Sequence, residues 1–183
     1  MLVFPITQYG DKILRKVVKP VKSIDDEIIR IVKRMFETMR NANGVGLAAN
    51  QVGFDKQIFV VDVSTVEDCD GIKPVAMINP QIILHSDEKI ILEEGCLSLP
   101  NLRADVERSK DIKIKYLNTS EEEVEIEASD FFARVILHEY DHLIGKMIPD
   151  RISEDERKKH LKLLKKIRNR EVDCDYPITE LEV

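Results

Sequence analysis

The sequence predicts an α+β fold with largely antiparallel sheets. Three observations lead there. Short β-type runs fill the middle of the chain, helical patterns lie towards both ends, and residues 123–128 alternate acid and apolar as a half-buried strand does. The result is a set of mostly antiparallel sheets around a central helix, with a further helix near the carboxyl end.

The elements follow in order. Residues 1–10 have no basic start, a proline at Pro5 and only a brief apolar run, which is not the pattern of a secretory signal. In residues 23–40, Ile28, Ile31, Val32, Met35, Phe36 and Met39 recur at helical spacing, so one face of a helix packs on a core. That helix ends before Gly44. Strands are expected at 57–63, 75–79, 81–84, 89–92, 111–117 and 123–128. Residues 130–143 form the central helix, apolar on most sides through Phe131, Phe132, Val135, Ile136, Leu137 and Leu143 and therefore buried. Ser129 or Asp130 can cap its start, and Gly145 can end it in the left-handed conformation.

Ser153 opens the last helix, with Glu156 three residues on completing a capping box. Leu161, Leu164 and Ile167 make a narrow apolar stripe, while Arg157, Lys158, Lys159, Lys162, Lys165, Lys166, Arg168 and Arg170 cover the rest. This pattern suits a solvated helix docked by one stripe, or a helix that binds a partner. The acidic tail, residues 172–183, is expected to be loosely ordered.

A chain of 183 residues, 43% hydrophobic, suits one globular domain spanning residues 1–183 around a sizeable core, and 34% charged residues suit a soluble surface. No run approaches membrane-spanning length. Cys69, Cys96 and Cys174 are odd in number and lack C-x-x-C spacing, which argues against a disulfide framework or a four-cysteine zinc site. A reducing cytoplasm fits. A net charge of -6 disfavours nucleic-acid binding by the surface as a whole.

The chemistry is concentrated in His138-Glu139-Tyr140-Asp141-His142. On a helix the two imidazoles at i and i+4 share one face, while Glu139 is turned about 100° from His138. Two histidines and a third donor hold a metal with a position left for water, and the adjacent glutamate can take that water's proton. The pattern points to metal-assisted hydrolysis. The third donor is sought in Glu93-Glu94-Gly95-Cys96-Leu97-Ser98-Leu99-Pro100, where Cys96 follows a glycine that permits close backbone approach and precedes a proline that ends the strand. Cys96 reads either as a thiolate ligand, suited with two imidazoles to zinc or ferrous iron, or as a small core residue. Cys69 and Cys174, in acidic surroundings, read as surface residues, and His85 and His160 lie apart from the site. Residues 44–53 are small and apolar and close on Gln51, whose amide can donate to a developing oxyanion.

Together these three segments resemble the three signature motifs of the bacterial peptide deformylases: Gly44-Val45-Gly46-Leu47-Ala48-Ala49-Asn50-Gln51, Glu94-Gly95-Cys96-Leu97-Ser98 and the histidine run. Gly10-Asp11, Leu14-Arg15, Ala133-Arg134 and the basic C-terminal helix extend the likeness over essentially the whole chain. One departure is Leu137, where many members carry glutamine; no ligand or proton-transfer group is lost with it. The resemblance implies that Cys96, His138 and His142 hold one divalent ion, ferrous iron (Fe2+) in many members, with Zn2+, Ni2+ or Co2+ also accepted by such donors. It implies Glu139 as the proton-transfer group, and Gln51 with the backbone N–H of Leu97 as oxyanion donors. The substrate it implies is an N-formyl-methionyl nascent peptide, seated along Gly44, Val45, Gly46, Leu97 and Val135. Glu94 and Asp141 would orient the ligands, and the basic helix over residues 154–170 would contact the ribosome, with no membrane or specific nucleic-acid sequence involved.

Two other readings differ in kind. A general zinc peptidase shares the histidine run but needs a long cleft and a Glu or His ligand downstream, whereas the best third donor here is Cys96, upstream. A binding module would use the metal only for stability and dock through the basic helix.

Overall fold

In the computed structural model, which describes residues 3–181, the stripe read at 23–40 forms helix α1 (Asp26–Asn41). Met1, Leu2, Glu182 and Val183, the extremes of the amino-terminal segment and of the acidic tail, lie outside the described residues. Asp25 caps α1 by accepting the Ile28 N–H at 3.0 Å, satisfying one of the donors a helix start leaves open. Residues 44–53, small and apolar and not assigned a strand from the sequence, form a short strand, β1 (Gly46–Ala48), and a single 3-10 turn (Ala49–Val52).

The other strands are β2 (Ile58–Val61), β3 (Val75–His85), β4 (Lys89–Cys96), β5 (Leu99–Ser109), β6 (Asp111–Leu117) and β7 (Glu123–Ser129). β1-β2-β3-β6-β7 make one antiparallel sheet, and β4 and β5 make a hairpin-like second sheet. The two runs read at 75–79 and 81–84 are one strand. Its register against β6 shifts between Ile78 and Gln81, where Asn79 takes a positive φ and Pro80 has no N–H to give. Asn79 offsets the disruption by bonding both the N–H and the carbonyl of Val21, each at 2.8 Å.

β5 is a strand that the sequence reading did not assign. From Leu102 to Arg108 its buried positions are Leu102, Ala104, Val106 and Arg108, alternating with Arg103, Asp105 and Glu107, so the period of two is present but more than half of these residues are charged and one is a small alanine. Pro100 lies inside this strand and does not end one.

β2 is buried on both faces, which is why its sequence is a continuous apolar run. Phe59 and Val61 join Met77, Ile112, Ile114, Ile136 and Leu137 under the central helix, α2 (Asp130–Leu143). Ile58 and Val60 face the other way, against Ile31, Val32, Met35 and Met39 of α1. A third cluster joins Leu102 and Val106 of β5 to Leu164 and Ile167 of the last helix, α3 (Glu154–Arg168).

The ends of the helices refine the sequence reading. Ser129 precedes α2 but makes no side-chain capping bond. Gly145 does end it left-handed, at φ +73°, and a Cβ there would meet the Arg15 carbonyl oxygen at 2.6 Å. Ser153 caps α3 through the Glu156 N–H at 3.2 Å, but the Glu156 carboxylate turns to Lys159 at 2.5 Å, so the box is half made. Leu161 is 54% exposed, which leaves Leu164 and Ile167 as the buried stripe.

Two further expectations are overturned. Cys69 is 3% exposed, because its loop folds Val63, Val66 and Ile72 around it into the first core. The tail is docked. Ile178 pairs with Ile6 in a parallel bridge, Thr179 donates to Ile6 and Asp11, and Tyr176 packs against the second core. Its acidic composition looked solvated, yet alternate residues turn inward. Among the described residues no helix is long and apolar enough to cross a membrane.

Candidate active site

α2 carries His138 and His142 to the middle of the molecule, and the end of β4 brings Cys96 to them. Cys96 Sγ lies 3.3 Å from His142 Nε2, and the two Nε2 atoms are 3.2 Å apart. All three donor atoms fall within 4.8 Å of one another, and among the described residues they are the set that could hold a metal ion. Ligands on bonds of about 2.0–2.3 Å in a tetrahedral arrangement lie roughly 3.3–3.7 Å apart, so the observed spacing fits an ion. The donors are also chemically apt: one thiol sulfur and two ring nitrogens, with the other nitrogen of the His138 ring turned to Glu94.

Behind the ligands is a buried ionic cluster. Glu94 Oε2 receives His138 Nδ1 at 2.9 Å, which fixes the ring and leaves Nε2 for the metal side. Arg108 donates to Glu94 through Nε at 2.6 Å and Nη2 at 3.0 Å, and to Asp141 through Nη1 at 2.7 Å. Arg134 donates to Glu94 at 2.8 Å and to the Val106 and Ile90 carbonyls, both at 2.6 Å. Glu94 therefore touches His138 directly, whereas Asp141 is connected to it one step away, through Arg108. Burial works against the charge on Glu94, but the bonds from His138 and Arg108 outweigh it and hold the carboxyl far below its usual range. Asp141 shows the same balance. Burial is overcome by Arg151 and Arg108, and its pKa is lowered.

Glu139 stands apart from that cluster. It is 4% exposed, and its Oε2 has no hydrogen-bond partner among the described residues. Burial pushes its pKa up to about 7, against the pull of His138. Burial also disfavours charge on both imidazoles. At His138 the bonds from Cys96 and Glu94 reverse this and raise the pKa well above normal, while at His142 the neighbouring His138 adds to burial and lowers it.

The glycines of residues 44–46 have a defined use. A Cβ on Gly46 would meet Glu139 Cγ and Cδ at 2.8 Å, and one on Gly44 would meet Leu97 Cδ1 at 2.9 Å. They admit protein side chains as well as lining the cleft. Gln51 is fixed at its carbonyl by the Ala48 N–H at 2.8 Å, and its amide points at Ser98 Oγ, 3.1 Å, and Cys96 Sγ, 3.5 Å. Asn50 donates to the His142 carbonyl at 2.7 Å, tying the same loop to the end of α2.

A cleft of about 500 Å³ opens over these groups. Gly44, Val45, Gly46, Gln51, Cys96, Leu97, Val135, His138 and Glu139 line it, so the expected substrate-contacting residues share one wall system. Leu137 does not face the cleft; it is 7% exposed and packs in the first core. His85 and His160 take no part in the ligand set. The sequence reading missed Arg108, whose only local signal is its place in the alternation of β5. It also missed residues 173–176, which line the cleft from the tail.

The polypeptide deformylase family model matches residues 3–158. The peptide deformylase of Prosthecochloris aestuarii is 40% identical over 180 residues, 98% of this chain and 96% of that protein. The crystal structure of peptide deformylase from Thermotoga maritima superposes with a TM-score of 0.78 at 47% identity, covering 84% of this chain and 99% of that one. That of peptide deformylase from Ehrlichia chaffeensis gives a TM-score of 0.83 at 36% identity, covering 90% and 96%. With the ligand set, the buried glutamate and the cleft all in place, the chain belongs to the peptide deformylase family.

Proposed function

We propose that this chain removes the formyl group from N-formyl-methionyl nascent peptides, releasing formate, with Cys96, His138 and His142 holding the ion and Glu139 moving the proton. Family membership makes it a metal-dependent hydrolase. The observation that carries the residue assignment is the convergence of one sulfur and two nitrogens beside a buried carboxylate oxygen without a partner. When bound, the ion supplies Lewis acidity and makes water nucleophilic near neutral pH.

Glu139 accepts the proton of the attacking water and returns one to the leaving amine, a role worth about 10² to 10⁴ in rate. The Gln51 amide and the backbone N–H of Leu97 stabilise the oxyanion that forms from the formyl carbonyl. Val45, Leu97 and Val135 offer apolar surface to the methionine side chain, and Gly44 and Gly46, on either side of Val45, add no side-chain bulk beside it. A nitrogen and sulfur donor set accepts iron, zinc, nickel and cobalt; ferrous iron is the ion proposed for the cell. The three free thiols accord with a reducing cytoplasm, and residues 1–183 are taken as one catalytic domain.

The basic helix is proposed to meet the ribosome. In its first half Lys158 and Lys159 pair with acids of the same helix, while Lys162, Lys165 and Lys166 are exposed and have no ion pair among the described residues. Reversing those three charges should reduce cosedimentation with ribosomes, and unchanged cosedimentation would remove the contact.

The deciding assay is formate release from formyl-Met-Ala-Ser by anaerobically purified protein, with acetyl-Met-Ala-Ser and a chelator as controls. Chelator-sensitive release that spares the acetyl peptide establishes the activity. Metal bound in full with no release would favour the peptidase or the binding module.

A further inference from the structure

Residues 173–176 form a wall of the cleft that the family model, ending at residue 158, does not include. The wall is anchored from both sides. Upstream, Arg170 donates to Asp11 Oδ1 at 2.5 Å and to the Thr179 carbonyl at 2.8 Å. Downstream, the Ile6 N–H bonds the Pro177 carbonyl at 2.8 Å, and the Thr179 hydroxyl bonds Asp11 Oδ2 at 2.8 Å. Between these anchors the Tyr176 hydroxyl donates to the Leu97 carbonyl at 2.8 Å, directly tying the tail to the turn that carries Cys96.

This arrangement fixes where the tail carboxylates stand. Asp173 and Asp175 line the cleft and are exposed, so they lie at its mouth, and neither has an ion-pair partner among the described residues. Exposed Glu93 lines the same cleft. Of the two arginines that line it, Arg134 is buried against Glu94, and the Arg103 guanidinium packs against Gly95, so three carboxylates stand at the mouth with one exposed cation. The deep end holds the ligand set and the partnerless Glu139 oxygen. A peptide with its formyl group at that end must run outward past the mouth.

We propose that Asp173 and Asp175 are specificity determinants, favouring substrates with cationic side chains in the residues that follow formyl-methionine and disfavouring acidic ones. This rests on the deformylase reading and deepens it. Opposed charges at such a rim, in water and screened by salt, are worth about three- to tenfold in kcat/KM between a cationic and an anionic substrate.

The test compares C-terminally amidated formyl-Met-Lys-Lys, formyl-Met-Glu-Glu and formyl-Met-Ala-Ser on the metal-loaded full chain and on an Asp173→Asn, Asp175→Asn double variant. The native chain should prefer the lysine peptide over the glutamate peptide by about tenfold at low ionic strength, and the preference should contract at high salt. In the double variant the ratio should fall to about threefold or less, with formyl-Met-Ala-Ser turnover held within about twofold. An unchanged ratio in the double variant, or no preference in the native chain, overturns the proposal. Absence of formate from all three peptides would instead remove the deformylase reading, and this proposal with it.

Discussion

Arg108 grips Glu94 at two points, Nε to Oε1 and Nη2 to Oε2, with both side chains almost wholly withdrawn from water. Because Glu94 Oε2 also receives His138 Nδ1, the guanidinium on β5 sets the orientation of a proposed metal ligand on α2. Removing one partner of such a buried group leaves charge uncompensated, a loss of about 3–5 kcal/mol. Arg108→Met should destabilise by that amount in urea unfolding. A loss below about 1 kcal/mol would mean that Arg134 and Arg151 suffice for the two carboxylates.

Asp141 gives the pH dependence of the same cluster. Burial raises its pKa, but Arg151 and Arg108 pull it below the ordinary value of 3.8. A carboxyl depressed on folding contributes stability that is present above the unfolded pKa and is lost as pH falls through the folded one. The stability gap between the native chain and Asp141→Asn, measured without metal, should be constant above about pH 5 and shrink below about pH 4. A gap that widens in acid would reverse the sign assigned here.

Glu139→Ala should keep the metal and lose nearly all deformylation, by a factor of about 10² to 10⁴. Metal content and single-turnover formate release check both halves. Near-normal turnover would give the proton to another group.

Gly46→Ala isolates geometry from chemistry, since the carboxylate stays but the new methyl would sit 2.8 Å from Glu139 Cγ. The expected outcome is retained metal with kcat reduced by about tenfold or more, because misplacement near 1 Å is costly in a positioned site. Unaltered kcat would show that β1 yields instead.

Cys96→Ser replaces a thiolate by a poorly ionising hydroxyl. Metal retained through dialysis should fall well below one ion per chain, as measured by atomic emission. Full occupancy would take Cys96 out of the ligand set.

Much of this was legible in the chain itself. α1 follows from a periodic apolar stripe, α2 from apolar residues on most of its sides, β6 from a β-type run and β7 from alternation, because local pattern and final burial agree there. The histidine run needed only helical spacing to become a ligand pair. Arg108 was hidden because a charged residue in a charged, alternating segment looks like surface. It is buried only because Glu94 and Asp141, from two other elements, arrive to meet it. Pro80 disguised β3 as two strands, since a missing donor reads as a break when it is in fact a bulge. Cys69 and the tail failed for one reason: acids beside them suggested solvent, while their burial depends on partners far away in sequence.

The bridge between Ile6 and Ile178 joins segments that bracket every proposed catalytic group. During synthesis Gln51, Cys96, Glu139 and the two histidines all emerge before residue 173. The ligands can thus gather while the cleft still lacks a side. Only when residues 173–179 fold back along residues 6–11 does the Leu97 turn gain its Tyr176 bond. In order of manufacture, the means of reaction comes first and the shape of the doorway last.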